Sequence, residues 1–298
     1  MAVYKLLVPS GIGDFSWAWS KLNTTNDQYH IEYVGGKPDR MFAFLSLLPQ
    51  EKILSFAPNG NYYTKWDEKG ELMCLPRNPK MFPEIPKMRK YSDLAGGSRM
   101  FVEPNTYLEA GNRIEAWLRD EIPKTDFHYK IEGTVHGAKK ANYFIVNYSS
   151  FSTKKAWGYY ETEKSVEFID FISAKTGWLP IFIGGSYDDY TQDIFEKLVQ
   201  KRQCICMVGK TPDLTAVISL LQQAQAYVGA CSGLMAISNI LYTPTVIYYP
   251  PFQTPPGRRL AGTWHDKSIA YLPLFWGGVE QDKEKFSQWV ISNKLIKV

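Results

Sequence analysis

"VGKTPDLTAVISLLQQAQAYVGACSGLMAISNILYTPTVIYY", Val208 to Tyr249, is the stretch that decides the fold. It begins at the end of an apolar run, Cys204–Val208, which reads as a strand closed by Gly209. Asp213 suits a helix start, and Asp213–Ala224 carries apolar residues at helical spacing. Ala226–Val228 is a second strand, Gly229–Ala230–Cys231–Ser232–Gly233 a small-residue loop and Leu234–Leu241 a second helix. Beyond Pro244, Thr245–Tyr249 is a third strand. Short apolar strands separated by helices require a parallel sheet covered on both faces.

The same alternation continues upstream. Tyr143–Val146 is expected as a strand, Thr162–Lys175 as a helix, Leu179–Ile183 as a strand ending in Gly184–Gly185, and Asp188–Lys201 as a helix. Five strands with helices between them make a doubly wound, Rossmann-like domain, set at residues 141–280. Near the N-terminus, Tyr4–Val8, His30–Val34 and Lys52–Phe56 read as strands, with helices at Phe15–Leu22 and Asp39–Leu48. Residues 1–135 are therefore expected to form a first Rossmann-like α/β domain. Asn59–Pro104 is a proline-bearing insert with a hairpin around Trp66–Leu75, Asn105–Glu121 has helical spacing, and Lys124–Lys140 reads as a linker. Residues 281–298 are expected to hold a helix, Lys283–Ser292, that packs back across the junction. A chain of 298 residues suits two domains of about 150 each.

Composition narrows the function classes. Lys plus Arg number 34 against 30 Asp plus Glu, a net +4 too mild to demand a nucleic acid partner. Four cysteines, Cys74, Cys204, Cys206 and Cys231, form no CxxC pair, which argues against a disulfide framework or a zinc site. No run reaches the roughly 20 apolar residues of a membrane span, and the first residues lack the charged, apolar and small-residue order expected of a signal peptide. A cytoplasmic protein without stable membrane insertion is expected.

In open parallel sheets, ligands sit beyond the carboxyl ends of the strands, where helix N-termini offer N–H groups to anions. The loops there read Asn147–Tyr148–Ser149–Ser150, Gly184–Gly185–Ser186, Gly209–Lys210–Thr211 and Gly229–Ala230–Cys231–Ser232–Gly233. Their small and polar residues permit close backbone approach to a phosphate, although glycine after a strand is also ordinary turn chemistry. No GxxxxGK[ST] loop occurs, nor a GxGxxG pattern in the second half, which disfavours a P-loop ATPase or an NAD enzyme. In the first domain, Gly11–Ile12–Gly13–Asp14 also follows a strand.

Residues 142–250 resemble the C-terminal domain of the lipopolysaccharide-heptosyltransferase family of glycosyltransferases. The resemblance rests on a Ser-rich loop followed by Lys155–Ala156–Trp157, on "FIGGSYDD", and on Gly209, Thr211, Leu214, Ser232, Gly233, Pro244 and Val246 of the opening stretch. Gly11–Ile12–Gly13–Asp14 resembles that family's first glycine-rich loop, whose acid is thought to be the catalytic base. The resemblance implies two Rossmann-like domains facing across a cleft, the GT-B arrangement, and sugar transfer from a nucleotide sugar to a hydroxyl, inverting and without metal or other cofactor. Two positions depart from the family pattern: Cys231 stands where Asp is usual and Ala236 where His is usual.

On that basis Asp14 is the candidate base, an aspartate equally suited to capping the helix from Phe15. Gly11, Gly13 and Trp17 would give clearance to an acceptor or phosphate. Ser149, Ser150, Lys155, Gly185, Ser186, Asp188, Gly209, Thr211, Ser232 and Gly233 are the candidates for the donor's diphosphate and nucleotide, with Lys155 offsetting leaving-group charge. Asp188 suits a ribose hydroxyl or, as an acid at a helix start, the helix dipole. Arg258 and Arg259 are candidate anion contacts. Adjacent Asp188 and Asp189 are not spaced to chelate, so no metal is expected. The acceptor stays open between a glycan, a lipid-linked sugar and a modified DNA base, for which Arg89, Lys90, Arg99, Arg258 and Arg259 would be the basic contacts. A nucleotide-sugar binder without activity and a sugar-phosphate epimerase are the alternatives from other classes.

Overall fold

The computed structural model describes residues 3–9, 28–34, 50–58, 62–66, 72–76, 89–92, 99–102, 140–148, 161–230, 232–248, 270–274 and 278–296. The chain divides into two compact units, Met1–Glu132 with Pro255–Asp266, and Gly133–Thr254 with Lys267–Val298. The helices expected at Phe15–Leu22, Asp39–Leu48 and Asn105–Glu121 lie outside the described residues.

In the first unit, β1 (Val3–Pro9), β2 (Gln28–Val34) and β3 (Ile53–Pro58) run parallel. Along β2, Tyr29, Ile31 and Tyr33 are buried while His30 is exposed, the period of two that a half-buried strand requires. Tyr33 stacks on Phe56 at 5.0 Å, and exposed His30 shares a 2.8 Å hydrogen bond with Ser55. A register shift leaves Leu54 without a partner on β2.

The insert contributes more than an irregular loop. β4 (Tyr62–Trp66) and β5 (Leu72–Pro76) form the expected antiparallel hairpin, whose turn is outside the described residues. β6 (Arg89–Ser92) and β7 (Arg99–Val102) pair antiparallel, and β7 joins β1, so the main sheet has the order β3-β2-β1-β7-β6 and is mixed rather than all parallel. Strands of four residues such as Arg-Lys-Tyr-Ser carry too little apolar alternation to be read from sequence.

The second unit is built on β8 (Tyr143–Asn147), α1 (Thr162–Thr176), β9 (Leu179–Gly184), α2 (Asp189–Leu198), β10 (Ile205–Val208), α3 (Leu214–Gln223), β11 (Tyr227–Ala230), α4 (Gly233–Ile240), β12 (Thr245–Tyr248), β13 (Tyr271–Leu274) and α5 (Val279–Ser292). All six strands are parallel in the order β10-β9-β8-β11-β12-β13. Numbered along the unit this is 3-2-1-4-5-6, the dinucleotide-fold order, with its switch point between β8 and β11. Five strands are those expected from sequence. β13 is additional, and its Pro273 is tolerated because the strand closes the sheet's edge.

The core follows from apolar runs buried on both faces. Phe144, Ile145 and Val146 of β8 and Phe182 and Ile183 of β9 are fully buried. On α1 the buried residues Ser165, Phe168, Ile169 and Ile172 fall at i, i+3, i+4 and i+7, one helical face. Phe168 meets Tyr248 at 5.6 Å and Phe286 at 5.9 Å, both edge to face. The C-terminal helix α5 thus packs on α1 and β13, with Lys283 bonded to Glu167 at 2.5 Å at its margin.

One acid lies inside this packing. Asp282 of α5 is fully buried, Tyr248 donates to its Oδ2 at 3.4 Å, and Oδ1 has no hydrogen-bond partner. Burial pushes its carboxyl above the ordinary value, opposed by the charge of Lys285 and the Tyr248 hydroxyl. The folded chain therefore holds this proton more tightly than the unfolded one. Its contribution to stability is complete below the ordinary carboxylate pKa and is lost as pH rises through the raised folded value. Asp282→Asn should raise Tm at pH 8 by about 2–4 °C for each kcal/mol regained, and the gain should shrink toward pH 4, as scanning calorimetry at both pH values will show.

Candidate functional site

Each strand of the second unit delivers its loop to the same end of the sheet. β8 ends in Asn147, β9 in Gly184, β10 in Val208 before Gly209, and β11 in Ala230 before the loop to α4. These four strands are consecutive neighbours, so parallel pairing alone gathers Asn147, Gly185, Ser186, Asp188, Gly209, Thr211, Ser232 and Gly233 along one edge. Ser149, Ser150 and Lys155, together with Gly11, Gly13, Asp14, Trp17, Cys231, Arg258 and Arg259, lie outside the described residues.

The glycines have packing reasons of their own. Gly229 pairs with Asn147 in the β8–β11 ladder, and a Cβ there would fall on the Asn147 carbonyl oxygen. It would also come within 2.9 Å of the Tyr227 hydroxyl. Gly209 has φ +67°, a left-handed conformation, and its N–H donates to the Gly184 carbonyl at 2.9 Å, joining two loops of the edge.

Asp188 is 3% exposed, and its carboxylate is turned into its own loop. Oδ2 accepts from Gly185 N at 2.9 Å and Asn147 Nδ2 at 3.3 Å. It occupies the N-cap position of α2 without making a side-chain cap. Ser186 is exposed and packs its Cα and Cβ within about 3.3 Å of where a Gly209 side chain would begin. Thr211 is half-buried on the same edge.

Two of the helices that start beside this edge, α3 and α4, differ in how they are capped. Asp213 caps α3 conventionally, its Oδ1 accepting from Ala216 N at 2.8 Å. Ser232 is the N-cap of α4 in extended conformation, but its side chain makes no cap. Its Oγ lies instead 3.2 Å from the Tyr227 hydroxyl. The first N–H groups of α4 are thus left without the serine oxygen that normally satisfies them, beside the switch point.

Sequence reasoning passed over Tyr227 and treated Asn147 only as part of a loop. A signal existed: Tyr227 and Gly229 are two apart on a strand and share a face, so the missing Cβ lets the long ring reach the strand's carboxyl end. Among the described residues no three His, Cys, Asp or Glu side chains are grouped to hold a metal ion. No described helix is long and apolar enough to cross a membrane.

A six-stranded parallel sheet in this order defines a Rossmann-like domain, and the whole chain has the GT-B fold, two Rossmann-like α/β domains of which the first has a mixed sheet. The chain belongs to glycosyltransferase family 9 (heptosyltransferase), whose profile matches residues 113–271. Its fold is similar to that of the E. coli heptosyltransferase WaaC with ADP, over 98% of this chain and 100% of that one, at 14% identity and a TM-score of 0.57. It is similar to E. coli ADP-heptose lps heptosyltransferase II over 99% and 100% of the two chains, at 16% identity and a TM-score of 0.54. A family 9 glycosyl transferase from Veillonella parvula matches over 98% and 97%, at 12% identity and a TM-score of 0.53. A search of curated proteins gave no match. Membership makes glycosyl transfer from a nucleotide-sugar donor the function class of the chain.

The Gly229 contact is directly testable. Gly229→Ala sets a methyl group against a backbone oxygen that the β8–β11 ladder holds in place, so urea unfolding should show a loss of about 3 kcal/mol or an insoluble chain.

Proposed function

We propose that the chain moves a sugar from a nucleotide-sugar donor to an acceptor hydroxyl by direct displacement, inverting the anomeric centre without a metal ion. The observation that carries this reading is the start of α4, where the N-cap serine is turned from its helix at the switch point of the sheet. N–H groups and a helix dipole aimed at one place suit a diphosphate, and Gly233, the first residue of α4, lets it approach.

The chemistry then assigns roles. Asp14 takes the proton of the acceptor hydroxyl as its oxygen attacks the anomeric carbon, and the bond from that carbon to the diphosphate oxygen breaks. The diphosphate leaves with the bonding electrons, its charge offset by the Lys155 ammonium, by the α4 N–H groups and by hydroxyls of Ser149, Ser150 and Ser232. Gly185, Ser186, Gly209 and Thr211 line the same strand ends, Gly11, Gly13 and Trp17 give the acceptor room, and Arg258 and Arg259 meet an anionic part of donor or acceptor. The acceptor class is a glycan or lipid-linked sugar, with a modified DNA base as the other candidate.

Cys231 and Ala236 favour one second reading, a protein that binds nucleotide sugars without turning them over. Thermal shift with ADP-, GDP- and UDP-sugars, followed by mass spectrometry of released diphosphate, separates the two. Binding with release supports transfer, and binding without release supports the second reading. A chain that answers none of the nucleotide sugars is neither. In the active protein, Asp14→Asn should lower kcat about 100-fold or more while leaving donor affinity within about twofold. Lys155→Ala should weaken donor binding and slow transfer together; unchanged values for both would remove it from the site.

A further inference from the structure

The switch point contains a chain of polar contacts centred on a strand residue. Asn147 donates from Nδ2 to the Ile183 carbonyl at 2.9 Å and to Asp188 Oδ2 at 3.3 Å, which orients its amide with Oδ1 toward β11. There the Tyr227 hydroxyl lies 3.4 Å from Asn147 Oδ1, 3.3 Å from the Asn147 carbonyl, 3.3 Å from the Ala230 carbonyl and 3.2 Å from Ser232 Oγ. Asp188, Asn147 and Tyr227 are buried, and Ser232 is half-buried. The sequence Asp188, Asn147, Tyr227, Ser232 thus ties the loop after β9 to the end of β8 and to the start of α4.

Proton accounting gives this chain a direction. Of the four oxygens around the phenol, the two carbonyls and the amide oxygen can only accept, so Ser232 is the one among them able to donate. With its own proton on a carbonyl or amide oxygen, the phenol receives the Ser232 proton. An anion at the start of α4 needs that proton for itself. Ser232 can turn its O–H outward because the phenolic proton then swings from its carbonyl or amide acceptor onto Ser232 Oγ; the serine oxygen keeps a partner, and the hydrogen bond given up is the one from the phenol to that acceptor. Only hydroxyl rotations are involved, and no proton changes owner.

We propose that Tyr227 is a positioning residue for the donor diphosphate: it holds Ser232 at the mouth of α4 and supplies the hydrogen bond that frees the serine proton for the ligand. This rests on the reading of the α4 start as the donor site. A phenylalanine at 227 keeps the ring and its packing but removes the oxygen that Ser232 answers to.

The test uses the full chain with ADP, GDP and UDP as probes, titrated by calorimetry, and a double-mutant cycle. For the nucleoside diphosphate that the wild type binds best, Tyr227→Phe should raise Kd about tenfold and Ser232→Ala by a similar factor. The double variant should lose no more than the worse single one, because serine acts through the phenol. Where transfer is measurable, donor KM should rise while kcat stays within about twofold. Tyr227→Phe with wild-type affinity, or losses that multiply in the double variant, would overturn the positioning role while leaving the donor site standing. A wild type that binds none of the three would overturn the donor-site reading and this proposal with it. Should Tyr227→Phe fail to fold, Ser232→Ala alone decides, and unchanged affinity in that variant overturns the proposal.

Discussion

The contact between β8 and β11 is the constraint on which the second unit depends. Both strands are buried on both faces, so their side chains must be apolar along the ladder and polar groups belong at its ends, where they find partners. Asn147 and Tyr227 meet there, across the one pair of strands whose chain order jumps. A buried amide or phenol left unpaired costs about 1–3 kcal/mol, so each must find a partner. Here they find one another, and the requirement is met by joining three loops that would otherwise be independent. Gly229 is the consequence: with Asn147 held at this distance, the residue facing it in the ladder has no room for a side chain.

How much of this the amino-acid sequence discloses depends on how each element is buried. Strands such as Tyr143–Asn147 and Leu179–Gly184 are apolar throughout because both faces are covered, and they are legible within a residue or so of their true ends. The mixed part of the first sheet is not legible, since Arg89–Ser92 and Arg99–Val102 are short and carry charge. Tyr271–Leu274 hides for a different reason, an edge position where a proline is permitted inside a strand. Periodicity reports burial, and elements only partly buried leave little of it in the sequence.

The candidate site divides in the same way. Topology alone predicts that the carboxyl ends of β8, β9, β10 and β11 share an edge, and the parallel pairing sets those strand ends side by side. What topology leaves open is which way each side chain turns. Asp188 and Asp213 are both acids at helix starts and are alike in sequence, yet one bonds back into its own loop while the other caps its helix. The difference lies in Asn147, which comes from a strand 41 residues away and offers Asp188 a second donor. Such choices are made by non-local contacts, so no window of sequence around Asp188 contains the answer.

The same logic bears on the two departures from the family pattern. A carboxylate next to a diphosphate is a like charge that must be offset or turned to another part of the donor, whereas a cysteine at position 231 is neutral while its thiol is protonated. Ala236 withdraws a donor, but it lies within α4, beyond the first N–H groups that face an anion. On the proposed reading, the diphosphate then depends on main-chain N–H groups, on Ser232 and on Lys155, none of which requires the family's Asp or His. The backbone groups are fixed by α4 itself, and the lysine is a flexible point charge. Ser232 needs outside support to aim its proton, and among the described residues the Tyr227 hydroxyl, 3.2 Å from its Oγ, can give it.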